Sequence, residues 1–159
     1  IDDYFYPYPE RDARGKLIPF PDDDSYNRYR MGGGTLTRDA WRRRNVDVLV
    51  QELHRAIRAA KPWVKFGVSP FGIWRPGEPA GIQGFDAFNG IYADARRWMH
   101  EGWVDYMAPQ LYWPIAATAQ SYPVLLKWWG EQNHHGRHLW PGNFTSRVET
   151  RPDWPMSEL

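Results

Sequence analysis

The sequence predicts an α/β fold of the (β/α)8 TIM-barrel type, present as a partial barrel, and three observations predict it. Short β-type runs alternate with amphipathic segments in the order strand, helix, strand, helix, strand, helix, strand. That order is the pattern of parallel βαβ units with right-handed crossovers. Polar and aromatic residues gather just after each strand, where a barrel of parallel strands carries its active site. No dinucleotide fingerprint follows a strand: Gly32-Gly33-Gly34 leads into Thr35 and Leu36 rather than into a helix, which disfavours an open doubly wound sheet. An intact barrel takes about 250 residues, and this chain has 159. Residues 1–159 therefore read as one barrel domain lacking its N-terminal and C-terminal parts, with two raw sheet edges. Ile1 is not a start methionine, and the chain reads as a piece of a longer one.

The elements follow in order. Ile1-Asp2-Asp3-Tyr4-Phe5 reads as a strand already ending, and residues 7–36 read as a long loop rich in proline, glycine and polar residues. A helix starts at Thr37, a suitable N-cap with Asp39 in the first turn. Val46, Leu49, Val50, Leu53, Ile57 and Ala60 make its apolar stripe, and Lys61-Pro62 ends it. Residues 63–69 form a β-type run halted by Pro70, followed by a glycine- and proline-rich loop over 71–85. A second helix is expected over 86–101 with Gly102 as its C′ residue. Residues 104–112 read as a strand whose Pro109 marks its end. A third helix is expected over 121–132, with Pro123 tolerated in its first turn. A last short strand begins at His138-Leu139-Trp140 and ends near Asn143-Phe144, and the tail from Thr150 is read as the start of another helix.

Composition excludes several classes of function. Lysine plus arginine number 20 against 19 aspartate plus glutamate, a net charge of +1, so no long-range field attracts nucleic acid or an anionic membrane. No apolar run is long enough to span a membrane. Cysteine is absent, which removes disulfides and thiolate metal sites. Ten tryptophans, nine tyrosines and seven phenylalanines stand out. Flat aromatic faces stack on the C–H faces of sugars, although large rings also simply fill cores.

Reading the strand ends of a barrel gives the candidate site. The first strand supplies Asp2, Asp3, Tyr4 and Tyr6; the helix after it supplies Arg42 and Asn45, which share a face at i, i+3. The next strands supply Ser69, Phe71 and Trp74, then Gln110, Tyr112 and Trp113, then Asn143. Carboxylates, amides and rings together are the equipment for holding a polyhydroxylated ligand. Adjacent residues of a regular strand face opposite ways, so Asp2 and Asp3 are not expected to enter one pocket together. One is a candidate nucleophile or electrostatic stabiliser, and the other a loop brace; alternatively both cap the turn. Glycoside hydrolysis generally uses two carboxyl groups. A second one is not evident, because Asp22, Asp23, Asp24 and Glu78 fall in loops and Asp94 inside a helix. The partner belongs to absent strands, or an N-acetyl group of the substrate serves as nucleophile. No metal or other cofactor is implied. His134, His135 and His138 precede a strand and so lie at the opposite end of the barrel. The three aspartates lack the glycine and glutamate of an EF-hand loop, and Asn143-Phe144-Thr145 fits a glycosylation sequon.

Four segments carry a resemblance: Ile1-Asp2-Asp3-Tyr4-Phe5-Tyr6-Pro7, Trp41-Arg42-Arg43-Arg44-Asn45-Val46, residues 66–74 and residues 105–113. With Tyr92-Ala93-Asp94, Trp98 and Gly102-Trp103, they resemble the glycosyl hydrolase-like 10 family in its order, to about Arg147. The resemblance implies a TIM barrel entered at the end of its fourth strand, so that about strands 4 to 7 are present. It implies an extracytoplasmic bacterial protein, periplasmic, envelope-bound or secreted, often a lipoprotein. The implied activity is glycoside hydrolysis of cell-wall glycan, with some members cleaving peptidoglycan strands stripped of peptides. Asp2 and Asp3 would then be active-site carboxylates, with Arg42, Asn45, Gln110, Tyr112 and Trp113 around the groove. Two rival readings remain: a non-catalytic carbohydrate-binding barrel stacking sugar on Trp74, Tyr112 and Trp113, and a metal-assisted esterase or deacetylase with Asp2, Asp3 and a histidine from outside this stretch as ligands.

Overall fold

Ile1 is the first residue to join a β ladder: its nitrogen donates to the Gly67 carbonyl at 2.7 Å and its carbonyl accepts from the Ser69 N–H at 2.8 Å. That exchange is the pattern of a parallel pair. The computed structural model describes residues 1–152, 154 and 155. After Ile1 the chain bends at Asp3, where the Phe5 N–H returns to the Asp3 carbonyl at 2.9 Å, and it enters the long polar stretch.

That stretch is not wholly loop. Helix α1, Asp23–Met31, lies inside it, with Asp23 and Asp24 in its first turn and Arg28 and Arg30 in its last. Both sets of charges complement the helix dipole. None of its residues is buried, so it has no apolar stripe for periodicity to detect. Helix α2, Arg38–Ala60, begins as expected: Thr37 accepts the Ala40 N–H on its side chain. Strand β1 is confined to Gly67–Val68.

The second expected helix is two helices. Helix α3, Ala87–Gly90, is capped by Asp86, and helix α4, Ala95–His100, by Asp94; between them Tyr92 takes a φ of 57°. Asp94 is thus a cap and not a mid-helix residue. Gly102, at φ 68°, sits at the C′ position where a left-handed backbone is needed. Its N–H reaches Met99 and that of Trp103 reaches Trp98, the two bonds of a Schellman motif. Strand β2, Tyr106–Met107, helix α5, Tyr122–Glu131, and strand β3, His138–Leu139, follow. After β3 the described residues form turns and one short 3-10 segment, Thr145–Arg147, and Trp154 packs into the interior. Part of the expected final helix lies outside the described residues; the part within them is not regular helix.

The three strands form a parallel sheet in the order β1-β2-β3, with Gly67 opposite Tyr106 and Tyr106 opposite His138. Single bridges extend the ladder at Phe71–Gln110 and Gln110–Gly142. Among the described residues the sheet does not close. Its two faces differ, as the period of two requires. Val68 and Met107 are fully buried, in one core with Val46 and Val50 of α2, Trp98 and Met99 of α4, and Leu125 and Trp129 of α5. Gly67, Ser69, Tyr106, Ala108 and Gln110 face the other way. A side chain at Gly67 would overlap the Tyr106 ring, so glycine lets that ring lie flat across the sheet.

Buried charges tie the helices to this core. Asp47 of α2 accepts from the Trp98 indole at 2.8 Å and from Arg97 at 3.0 Å, joining α2 to α4. Asp22 and Arg42, only 6% and 8% exposed, pair through two hydrogen bonds of 2.7 Å. Arg42 holds the Asp22 carboxyl below the usual aspartate range. A carboxyl depressed in this way stabilises the fold above its unfolded value of about 3.9, and that stability is lost as pH falls through the folded value. Replacing Asp22 by asparagine leaves Arg42 without its counter-charge. Asp22→Asn is expected to cost about 3–5 kcal/mol at neutral pH, read from the urea midpoint of the full-length protein. The gap from wild type should narrow as the pH falls below about 3.9 and through the depressed folded value.

Candidate active site

The face of the sheet opposite the core opens on a cavity of about 600 Å³. Its floor is made by Gly67, Ser69 and Phe71 from the β1 side and Tyr106, Ala108, Gln110 and Tyr112 from the β2 side. Ile1, Asp2, Asp3, Tyr4 and Tyr8 form the wall above.

Asp2 and Asp3 both enter this cavity, contrary to the expectation of a regular strand. The bend at Asp3 breaks the alternation, so neighbouring carboxyls share one opening. The Asp2 Oδ1 accepts from the Gln110 side-chain amide at 2.8 Å and from the Asp3 N–H at 2.8 Å. Gln110 is itself braced, donating also to the Ser69 carbonyl at 3.1 Å, while the Ser69 hydroxyl donates to the Ala108 carbonyl at 2.9 Å. Asp3 is 4% exposed and accepts the Tyr8 hydroxyl at 2.5 Å on Oδ2.

Burial pushes the Asp3 carboxyl up from its ordinary value. The Tyr8 donor works against that shift, and a hydrogen bond with Asp2 together with the Asp2 charge adds to it. Burial also raises Tyr8, with the Asp3 hydrogen bond and charge adding to it. Tyr112 is raised by burial first and then by the charges of Asp2 and Asp3, so the cavity carries a negative field. Such a site holds a proton on a carboxyl more readily than water does.

Seven expected residues converge here: Asp2, Asp3, Tyr4, Ser69, Phe71, Gln110 and Tyr112. Tyr4 is 74% exposed at the rim, edge-on to Tyr8 at 5.8 Å. The other six, Tyr6 among them, do not line it. Trp74 is 7% exposed, stacks on Trp128 at 5.9 Å and donates its indole N–H to Asp94 at 3.0 Å, so it is a core residue and offers no face to sugar. Trp113 backs the cavity wall, edge-on to Phe71 at 5.7 Å. Arg42 is consumed by Asp22 and by the Tyr92 hydroxyl at 2.5 Å. Asn45 is hydrogen-bonded to Tyr6, and Asn143 to Tyr122.

Tyr8 was not among the expected site residues, although Pro7 and Pro9 on either side were a usable signal. Flanking prolines restrict the backbone and so fix where a ring points. The ring also packs on Phe85 at 5.0 Å. Tyr106 was missed because it sits mid-strand, ahead of the strand end.

The histidines lie elsewhere. His134 stacks on His100 at 4.4 Å, His135 contacts the His100 carbonyl at 2.8 Å, and His138 stacks on Trp140 at 5.1 Å. Asp22 and Asp23 are taken up by Arg38 and Arg42. Among the described residues no three histidine or acidic side chains are grouped to hold a metal ion.

Because the Tyr8 hydroxyl lowers the Asp3 value against burial, Tyr8→Phe is expected to raise it further. A carboxyl-carbon NMR titration of Asp3 in the full-length protein measures this directly. An unchanged or lower value would show that the hydroxyl does not stabilise the carboxylate.

The family model described as glycosyl hydrolase-like 10 matches residues 1–154. The chain is 41% identical over 164 residues to "Glycosyl hydrolase YngK" of Bacillus subtilis (strain 168), a match covering 99% of this chain and 31% of the relative. It is 40% identical over 168 residues to "Glycosyl hydrolase DigH" of Escherichia coli (strain K12), covering 99% of this chain and 36% of the relative. The chain thus spans about a third of the length of these curated relatives.

Proposed function

Because the chain belongs to the glycosyl hydrolase-like 10 family, we propose that it forms the acid-bearing part of the active site of a glycoside hydrolase that cuts N-acetylated bacterial cell-wall glycan. The observation that carries this reading is the Asp2–Asp3 pair. Two carboxyls open on one cavity, hydrogen-bonded to each other, one braced by Gln110 and the other by Tyr8. The parallel sheet, with Ile1 added along β1, is read as a sector of a (β/α)8 barrel. The site at the ends of the parallel strands fits that architecture.

In this mechanism the pair holds one proton, because two carboxylates this close do not readily ionise together. Asp3 is buried under Tyr8 and acts as the reservoir. Asp2, the exposed member, meets the substrate and gives the proton to the glycosidic oxygen as its bond to C1 breaks. Gln110 fixes the Asp2 carboxyl for that transfer. The acetamido oxygen of the sugar attacks C1 and the electron pair of the broken bond stays with the leaving oxygen, as in substrate-assisted hydrolysis. Water then opens the cyclic intermediate and returns a proton to Asp2. Among the described residues Asp2 and Asp3 are the only carboxylates lining the cavity, which favours a nucleophile supplied by the substrate over a second protein carboxylate from this stretch. Tyr4 and Tyr112 flank the bound sugar. A cell-wall substrate places the protein outside the cytoplasm, in the periplasm, in the envelope or secreted.

Asp2→Asn and Asp3→Asn in the full-length protein are each expected to lower the release of reducing ends from N-acetylated glycan strands by about 10²–10⁴-fold. Undiminished release by both variants would remove the acid assignment. Wild-type protein that binds the strands and never cleaves them would favour a carbohydrate-binding barrel instead.

A further inference from the structure

A second cavity, of about 550 Å³, is lined by Tyr8 together with Tyr6, Phe20, Arg42 and Tyr92. Tyr8 thus lines both openings. We propose that this cavity is a distal subsite for an uncharged N-acetylated sugar of the same glycan strand; the inference rests on the glycan-cleaving reading and names what holds the polymer beyond the cut.

The lining is built and held. Tyr6 stands edge-on to both Phe20 and Tyr92, at 5.1 Å and 5.0 Å. Tyr92 keeps its ring there at the cost of a left-handed backbone, secured by the Arg42 bond to its hydroxyl. A bulky residue in that conformation is a feature of ligand-holding sites. The outer wall is a hairpin-like turn: Ile18 N–H reaches the Glu10 carbonyl at 2.9 Å, and Asp12 accepts the N–H groups of Arg14 and Lys16, both at 2.9 Å. Prolines 7, 9, 19 and 21 restrict the chain on either side of it.

Charge chooses the occupant. Arg42 is the cation of the cavity, and Asp22 already neutralises it through two hydrogen bonds. Glu10 and Asp39 add carboxylates to the wall. Among the described residues that line the cavity, phosphates, acidic peptides and sugars bearing a carboxylate meet no cation besides Arg42; Arg14 and Lys16 belong to the turn outside the lining. A neutral sugar finds rings for its C–H face and its acetamido methyl, and carboxylates for its hydroxyls. A polymer cut at Asp2 must continue past the cut, and Tyr8 is a lining residue common to both cavities.

The test measures binding of N-acetylglucosamine oligomers of two and six units to the full-length protein, by calorimetry on the Asp3→Asn background to limit turnover. The hexamer should bind more tightly than the dimer. Phe20→Ala and Leu17→Ser alter side chains that are 39% and 49% exposed, so the fold should survive both. Each should shrink the hexamer-to-dimer affinity ratio, by about tenfold for loss of the Phe20 ring. Trp63→Ala, outside both cavities, should leave the ratio as it is. A ratio unmoved by both cavity variants, or a hexamer that binds no more tightly than the dimer, overturns the subsite. The two readings fail separately. If the aspartate variants lose cleavage while the ratio persists, only the subsite falls. If they keep cleavage while the ratio collapses, the subsite stands and the acid assignment falls.

Discussion

Every side chain on the floor of the first cavity is there because of one parallel register. The Ser69 N–H meets the Ile1 carbonyl, the Ala108 N–H meets Val68, and the Gly142 N–H meets Pro109. Slip any strand by one residue and the two faces exchange. Val68 and Met107 would then stand in the cavity, and Ser69 and Ala108 in the core. The buried apolar face enforces the register, since that slip would strip the helix-facing side of the sheet of its fully buried residues. The site is therefore positioned by residues that never touch it.

The polar braces add a second level of control, and their effects on acidity separate by partner. Asp22 is paired with a guanidinium, which stabilises its charged form strongly enough to overcome burial, and its carboxyl is depressed. Asp47 accepts an indole N–H as well as Arg97, and burial wins, so its carboxyl is raised. Asp3 has a phenol and a backbone N–H as donors and a second carboxyl as neighbour, and it too is raised. Three buried aspartates thus differ according to whether the donors and charges around each outweigh its desolvation: Arg42 with Arg38 does so at Asp22, and Arg97 with the Trp98 indole does not at Asp47. Asp3 is the one of the three that opens on the first cavity.

How much of this was readable from the sequence depends on which signal each feature leaves. Helix α2 announced itself through its apolar stripe and Thr37, and the parallel order followed from alternation. Helix α1 packs no buried residue, so periodicity had nothing to detect, although three acids followed by two arginines at its far end marked a dipole-matched helix. The break at Tyr92 was hidden because Asp86 and Asp94 are both caps, and the second was read as an interior residue. At the site, strand-end logic collected Asp2, Asp3, Ser69, Gln110 and Tyr112 correctly in space. It failed for Trp74, because a tryptophan near a strand end can turn either to a cavity or to the core. The choice was made by Trp128 and Asp94, distant in sequence. It also failed for Arg42, whose partner Asp22 sits 20 residues earlier in a segment read as loop.

If Asp2 and Asp3 act as the acid proposed above, the pairing of a buried and an exposed carboxyl gives a physical reason for two adjacent aspartates rather than one. A lone exposed aspartate is well hydrated and gives up its proton near the ordinary carboxylate value. A lone buried one retains its proton but has no path to a substrate. When both share a bend, the buried member supplies the low-dielectric surroundings and the neighbouring charge that keep a proton on the pair, and the exposed member supplies access. Tyr8 limits the first effect by donating to Asp3, and Gln110 orients the second by donating to Asp2. The bend that spoils strand alternation at Asp3 is therefore what brings the two carboxyls together, and its position beside Ile1, at the end of a parallel pairing, sets the pair against the cavity that the proposed acid would serve.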